Sequence, residues 1–141
     1  MATPKQAPEG DSISAPRTLT RVTQIALFLN AVLHGTASIG MALGLGPHAA
    51  EEPHMGRRAA AAGLAGAFML AFVGKRLRHD ARLIVMPLVF VLCNLADTVY
   101  EFLSSRDPNN LAPAVPETIF VVVYSLFAAA FLRARRAARS V

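Results

Sequence analysis

Four long runs of apolar residues follow one another along the chain, and short polar segments separate them. The runs cover residues 22–45, 57–75, 83–103 and 116–132. A bilayer core is about 30 Å thick, so a helix that spans it needs about 20 mostly apolar residues. The second run is short, but long basic side chains at its flanks can extend it to the membrane surface. The pattern therefore predicts an all-α fold of four membrane-spanning helices packed as a bundle.

A soluble four-helix bundle is the alternative for four such helices. Each of its helices would need a polar stripe facing water. The second run contains AAAAGLAGAFMLAFVG, which has no polar side chain on any face. A cleaved signal peptide is the alternative for the first run, but the apolar core of a signal is only about 7–15 residues long. We therefore expect a multi-pass membrane protein whose bundle occupies residues 19–133.

Composition agrees with this interpretation. Hydrophobic residues make up 54% of the chain and charged residues only 16%, with a mean hydropathy of +0.43. An ordinary soluble domain has about 25% charged residues. Disorder of the whole chain is excluded, because disordered chains combine low hydrophobicity with high charge. The single Cys excludes an intramolecular disulfide framework.

The basic residues are distributed unevenly over the predicted loops. Most of the 14 Lys and Arg residues lie in the N-terminal tail, the second loop and the C-terminal tail. Positive loops stay in the cytoplasm, so we expect both termini there. Residues 1–18 are rich in Pro, Ser and Ala and predict a disordered tail, and residues 134–141 predict a basic one. The net charge of +5 indicates membrane lipids as partners and no nucleic acid, because no aromatic residues interleave the basic ones.

Polar residues at membrane depth carry most of the functional information. At about 100° per residue, one face of the third helix carries four polar residues, Asn94, Asp97, Thr98 and Glu101. Asn30 and His34 are one turn apart on the first helix and also share a face. From the predicted topology, His34 and Asn94 lie near the middle of their helices. These positions predict a polar pocket in the outward half of the bundle.

The pocket contains groups suited to acid–base chemistry. A charged Asp near the bilayer centre costs at least about 2.5–3.5 kcal/mol, so we expect Asp97 to be held there for a function. A neutral carboxylic acid beside an imidazole is a competent acid–base pair. We assign Asp97 as the acid, His34 as its partner or base, and Glu101 as a second carboxylate. The predicted substrate-binding groups are Asn30, Asn94, Tyr124, Ser125 and Glu117.

Two other interpretations of these residues remain open. Interhelical hydrogen bonds that specify packing are the favoured role for Asn30 and Asn94 considered alone. A proton-coupled carrier for a small molecule also needs ionisable groups within the membrane. The hypothesis that we favour is a pocket for a small lipophilic substrate that enters from the membrane.

The first outer loop contains His48, Glu51, Glu52 and His54. Imidazole and carboxylate groups so close in sequence are able to bind a divalent metal. No ordered zinc spacing such as HExxH is present, however, and the favoured interpretation is a solvated loop. We therefore expect no metal site and no cofactor.

Small residues predict how the helices pack. Gly40 and Gly44 form a GxxxG pattern, and Ala59, Gly63 and Ala67 recur every four residues on the second helix. Small residues let helix backbones approach closely in lipid. The favoured interpretation is packing within one monomer, and the alternative is a homodimer or a membrane complex formed through Gly40 and Gly44.

The second helix is preceded by basic residues in GRRAAAAGLAGAFMLAFVG, and a basic turn leads into the third. With four short spans, this layout resembles the small four-helix bacterial membrane proteins grouped as DoxX-like, over about residues 20–135. The resemblance implies a four-helix fold in the inner membrane of a bacterium. For some members it also implies a role as a membrane subunit of quinone-linked redox systems. It assigns no active-site residue here.

The polar residue types are also similar to those of compact membrane sterol isomerases and terpenoid cyclases. Those enzymes place carboxylates inside a helical bundle to protonate an alkene or an epoxide. This similarity implies an isomerase or cyclase that acts on a lipophilic substrate. A non-catalytic accessory subunit of a membrane complex is the alternative function.

Overall fold

The computed structural model describes residues 15–45 and 53–140, and these residues form four α-helices. The helices are α1 (Arg17–Ala42), α2 (Pro53–Arg76), α3 (Val85–Ser105) and α4 (Ala114–Ala137). Short 3-10 turns at Ala81–Ile84 and Pro108–Leu111 lead into α3 and α4, and the described residues contain no strand. All four helices are long and apolar enough to cross a membrane. The predicted all-α, four-helix membrane bundle is confirmed.

The end of α1 differs from the prediction because of Gly44. The N–H of Gly44 donates to the carbonyl of Met41, and the N–H of Leu45 donates to the carbonyl of Gly40. This is the Schellman arrangement, which needs a left-handed residue after the helix, and Gly44 has φ of 77°. The helix therefore ends at Ala42 and not at residue 45. Gly40 and Gly44 do not form one continuous helix face.

The last helix is longer than its apolar run. It begins at Ala114, so that Pro116 lies in the first turn, where a missing N–H is tolerated. It continues to Ala137 and includes Arg135 and Arg136. Ala and Arg are good helix formers, and basic residues are favourable at a helix C-terminus. The first part of the predicted basic tail is thus helical.

Two other predicted segments fall wholly or partly outside the described residues. The disordered tail predicted for residues 1–18 lies outside them up to residue 14, whereas Arg17 and Thr18 belong to α1. His48, Glu51 and Glu52 of the first outer loop lie outside them too, as does the side chain of His54.

The helices pack as two hairpins. The closest packing is between α1 and α2, followed by α3 with α4, and α1 also packs on α4. Contacts between α2 and α3 are sparser, so that α1 and α3 face each other across the diagonal of the bundle. The α1–α2 contact depends on small residues. A Cβ on Gly63 would collide with the Ser38 hydroxyl, and a Cβ on Gly35 would lie 3.7 Å from Ala67 Cβ.

The bundle has a small buried centre and an apolar exterior. Leu27, Leu70, Val73 and Tyr124 are fully buried. Large apolar side chains are exposed on every helix, for example Phe68, which is 76% exposed. In water such a surface would be costly, but in lipid it is the expected exterior. The arrangement is that of a multi-pass membrane protein.

Candidate functional site

Polar side chains connect the helices at three levels. The pairs are Asn30 with Tyr124, His34 with Asn94, and Thr98 with Glu117. Asn30 and His34 are one turn apart on α1, as are Asn94 and Thr98 on α3, so each level lies about 6 Å from the next. The pairs begin near the middle of the bundle and proceed toward the end where α1 and α3 terminate. This series is the candidate site.

The innermost pair is enclosed by the bundle. The Asn30 side-chain amide donates a hydrogen bond of 3.1 Å to the Tyr124 hydroxyl oxygen, which joins α1 to α4. Asn30 is 1% exposed and Tyr124 is fully buried. Both were predicted to bind substrate. In the structure they bond to each other and are buried, and the bond joins two helices.

The second pair is more open. The Asn94 amide nitrogen lies 3.4 Å from His34 Nε2 across the diagonal between α1 and α3, and both side chains are half-buried. Within the described part of the chain, Asn94 is the only hydrogen-bond partner of the imidazole ring. The described residues also contain no buried side-chain nitrogen or oxygen without a partner. The polar atoms of this pair that have no partner are therefore not completely buried.

An aromatic ring forms the apolar side of this pair. The Phe90 ring meets the His34 ring edge to face, with centroids 5.0 Å apart. Phe90 also lies over Gly66 of α2, where a Cβ would collide with the ring. Phe90 thus occupies the space between the hairpins beside His34. The sequence pattern missed this role, because one Phe on an apolar helix does not reveal that a glycine faces it on another.

The outermost of the three pairs contains a carboxylate, that of Glu117. The Thr98 hydroxyl donates to Glu117 at 3.2 Å, which joins α3 to the start of α4. Thr98 is 8% exposed and Glu117 is half-buried. Glu117, which was predicted to bind substrate, thus accepts a hydrogen bond from Thr98 at the start of α4.

The expected contact between Asp97 and His34 is not formed. Asp97 and Glu101 are exposed on α3, while the imidazole of His34 contacts Asn94 and Phe90 instead. Helix geometry gives the reason. Asp97 is three residues after Asn94 and so is rotated about 60° from the direction that faces His34. Ser125 is exposed on α4, a step of about 100° from buried Tyr124, and does not join the other predicted residues.

Metal ligands do not gather in the described residues. No group of three or more His, Cys, Asp or Glu side chains within residues 15–45 and 57–140 is arranged to hold a metal ion. Cys93 is a free thiol, exposed on α3. What the site offers is hydrogen bonding: an imidazole, a carboxamide and, about 4.5 Å further along α3, a carboxylate.

Comparison of the chain with protein-family models, with curated proteins and with solved structures gives no match.

Proposed function

We propose that this membrane protein binds a small lipophilic molecule with a hydroxyl or carbonyl group at the His34–Asn94 pair. The observation that carries the proposal is the pair itself, which lies within the membrane-spanning helices, is joined by one long contact of 3.4 Å and has polar atoms without a partner that are not completely buried. A polar atom in hydrocarbon without a partner costs several kcal/mol. A ligand that supplies the missing partner removes this cost.

The two side chains determine which polar group the ligand carries. An imidazole has one donor and one acceptor nitrogen, and a carboxamide has both kinds of atom as well. Together they match a hydroxyl, which donates and accepts, or a carbonyl, which accepts from either. The neighbouring Phe90 ring suits an apolar body attached to that group. A lipophilic alcohol or ketone fits this combination.

Access from the membrane is consistent with the packing of the hairpins. Contacts between α2 and α3 are sparse compared with those inside each hairpin. At this boundary the Phe90 side chain, and not backbone, fills the space above Gly66. Rotation of one aromatic side chain changes the width of such a boundary more easily than movement of a helix does. We infer that the ligand enters from lipid between the hairpins.

The catalytic part of the proposal uses Asp97. An isomerase or cyclase would protonate an alkene or epoxide with this carboxylic acid and remove a proton from a neighbouring carbon with His34, so that the mass of the molecule is unchanged. Asp97 is about 4.5 Å further along α3 than Asn94, and a substrate lying against both residues would complete the arrangement. Glu101 is about 10 Å beyond Asn94 and would act only as a second, outer carboxylate.

Photoaffinity labelling tests the binding part. The purified protein in nanodiscs is exposed to diazirine-bearing alkyl chains that end in a hydroxyl, a ketone or a methyl group. We expect the hydroxyl and ketone probes to label peptides that contain His34 or Phe90, and an excess of the same alcohol without diazirine to compete. Asn94→Leu should reduce this labelling at least tenfold. Ser125→Ala, on the exposed side of α4, is the matched control and should leave it unchanged.

Equal labelling by the methyl-ended probe would count against the proposal, as would labelling that is indifferent to Asn94→Leu. Asn94→Leu and Ser125→Ala are both compared with the unmodified protein by circular dichroism and gel filtration, so that misfolding is recognised. The catalytic part is tested separately. Lipid extracts of cells that express the protein or Asp97→Asn are compared for a compound that changes retention time at constant mass. Such a difference supports catalysis, and its absence leaves a binding protein.

An accessory subunit of a membrane complex is the second candidate, and it is the role that the resemblance to DoxX-like proteins implies. Two observations favour it: Asp97 is exposed on a spanning helix, and a Cβ on Gly40 would meet no described atom within 4 Å. A partner helix packed against either position would cover it. Here Asp97→Asn should have no effect on growth or lipid composition, while Gly40→Leu should release the chain from a larger complex on a native gel.

We also propose a bacterial inner membrane location, which the resemblance to DoxX-like proteins implies, with both termini in the cytoplasm, which the basic loops indicate. Fusion of a fluorescent protein or of alkaline phosphatase to the C-terminus tests this orientation. Fluorescence without phosphatase activity is the expected result. The reverse result would place the basic end outside and contradict the proposal.

A further inference from the structure

We propose that Arg78 and Arg21 bind the phosphate of an anionic phospholipid at the end of the bundle where α1 begins and α2 ends. This inference is independent of the proposed ligand at His34 and Asn94. It concerns the other end of the helices and begins from a hydrogen-bonded group that the polar site does not use.

At this end Gln24 joins α1 to the last turn of α2, and we call this contact the α1–α2 junction. Its side-chain nitrogen donates to the carbonyl of Gly74 at 2.7 Å, which satisfies a carbonyl in the last turn of α2. Its side-chain oxygen accepts from Arg78 Nε at 2.9 Å. Gln24 is half-buried, so this bridge lies against the bundle. The guanidinium of Arg78 is therefore oriented by the fold and not free to move as a flexible side chain.

The orientation leaves the outer edge of the guanidinium available. The bond to Gln24 uses Nε, and within the described part of the chain the two Nη groups donate to no residue. Arg78 is exposed. A planar guanidinium with free N–H groups is the side chain best suited to phosphate oxygens, and prior orientation reduces the entropy lost on binding. Arg78 is thus oriented in advance to bind an anion.

Two further basic residues are close to the partners of this bridge along the chain. Arg21 precedes Gln24 by three residues on α1 and so shares its face, and Lys75 directly follows Gly74 on α2. Asp80 is the acidic residue nearest in sequence, and its carboxylate accepts a hydrogen bond from the N–H of Arg82 at 3.0 Å. The charge around the junction therefore favours an anion.

The depth of the junction identifies the anion as a lipid headgroup. The guanidinium of Arg76 lies 5.9 Å from the centroid of the Phe72 ring, and Phe72 is 55% exposed on the apolar exterior. Within about one turn of α2, the exposed side chain thus changes from the aromatic Phe72 to the cationic Arg76. That is the level at which phospholipid phosphates lie, and acyl chains could follow the adjacent apolar surface. A soluble anion would make no use of that surface.

Lipid titration of the purified protein in detergent tests the proposal. Phosphatidylglycerol, phosphatidylcholine and inorganic phosphate are added separately, and bound lipid is counted by native mass spectrometry while thermal stability is recorded. We expect saturable binding and stabilisation by phosphatidylglycerol alone. The double variant Arg21→Gln/Arg78→Gln should weaken that binding about 25-fold, since each basic residue near a membrane surface contributes roughly fivefold. Arg57→Gln/Arg58→Gln removes the same charge at the other end of α2 and should change binding less than twofold.

Arg78→Lys keeps the charge but loses the bond from Nε and the planar fork, and we expect a smaller loss of about two- to threefold. This variant and Arg21→Gln alone carry the test if the double variant does not fold. Equal losses in the two double variants would overturn the proposal, because the effect would then be one of net charge. Equal stabilisation by inorganic phosphate would overturn it too, because the site would then serve a soluble anion.

Discussion

The Asn30 amide donates a 3.1 Å hydrogen bond to the Tyr124 hydroxyl, and both side chains are buried at the centre of the bundle. The bond joins α1 of one hairpin to α4 of the other. The hydrophobic effect provides little attraction between helices in lipid. Interhelical hydrogen bonds and close packing therefore contribute more to which helices associate. We consider this bond the main polar link between the hairpins.

Tyr124→Phe should therefore destabilise the bundle with almost no change in volume. The Asn30 amide would lose its partner in a buried place, and the expected loss is about 1 kcal/mol in the free energy of unfolding. Denaturation in detergent with increasing sodium dodecyl sulfate measures it. Tyr100→Phe is the control, because Tyr100 is 69% exposed and should unfold like the original protein. If the losses in the free energy of unfolding from Asn30→Ala and Tyr124→Phe simply add in the double variant, the hydrogen bond does not contribute to stability.

Gly63 and Gly40 should respond oppositely to the same substitution. A Cβ on Gly63 collides with the Ser38 hydroxyl, which itself donates to the His34 carbonyl, so Gly63→Ala should push α1 and α2 apart. We expect a loss of about 1–3 kcal/mol, typical of overpacking. A Cβ on Gly40 meets no described atom within 4 Å, and Ala is the better helix former by up to about 1 kcal/mol. Gly40→Ala should be neutral or stabilising, measured by the same unfolding assay.

Gly66→Ala should disturb the His34 site without touching His34. The new methyl group would collide with Phe90, and the ring would have to leave its place beside the imidazole. We expect labelling of the His34 peptide by the hydroxyl probe to fall severalfold. Adding Phe90→Leu to Gly66→Ala gives room for the methyl group and should restore stability more than labelling. Unchanged labelling in Gly66→Ala would show that Phe90 does not shape the site.

Arg106→Gly should stabilise the turn after α3. Arg106 has φ of 60°, in the left-handed region that favours Gly, and its N–H donates to the Phe102 carbonyl at the helix end. Glycine adopts this backbone conformation without strain, so the substitution should raise stability by up to about 1 kcal/mol. Ser104→Gly, two residues earlier within α3, should lower it by about 0.5–1 kcal/mol because Gly is unfavourable inside a helix. Thermal unfolding of the two variants should therefore differ in sign.

The identity of the four helices could be predicted from the sequence. Twenty apolar residues in a row have few structural solutions in lipid, since the backbone must satisfy its own hydrogen bonds. The ends of the helices were less predictable. Gly44 ends α1 through its backbone conformation while the apolar run continues, and α4 continues past its apolar run because Ala and Arg sustain a helix.

The polar residues themselves were also recognisable, because a side chain such as Asn30 or Asp97 stands out in an apolar helix. Their partners were not. A helical wheel gives the face on which a residue lies to within an arc of about 100°, but the angle at which each helix meets its neighbours depends on packing along its whole length.

The chain alone thus determined that four helices span a membrane, and it marked the polar side chains that lie among them, because both properties follow from local composition. Only the tertiary structure decided that His34 meets Asn94 and Phe90 while Asp97 faces outward. Asn94 and Asp97 differ by about 60° around one helix, so the choice depends on how each helix is turned about its axis. Contacts between residues far apart in sequence set that rotation, as Gly63 with Ser38 does for α1 and α2.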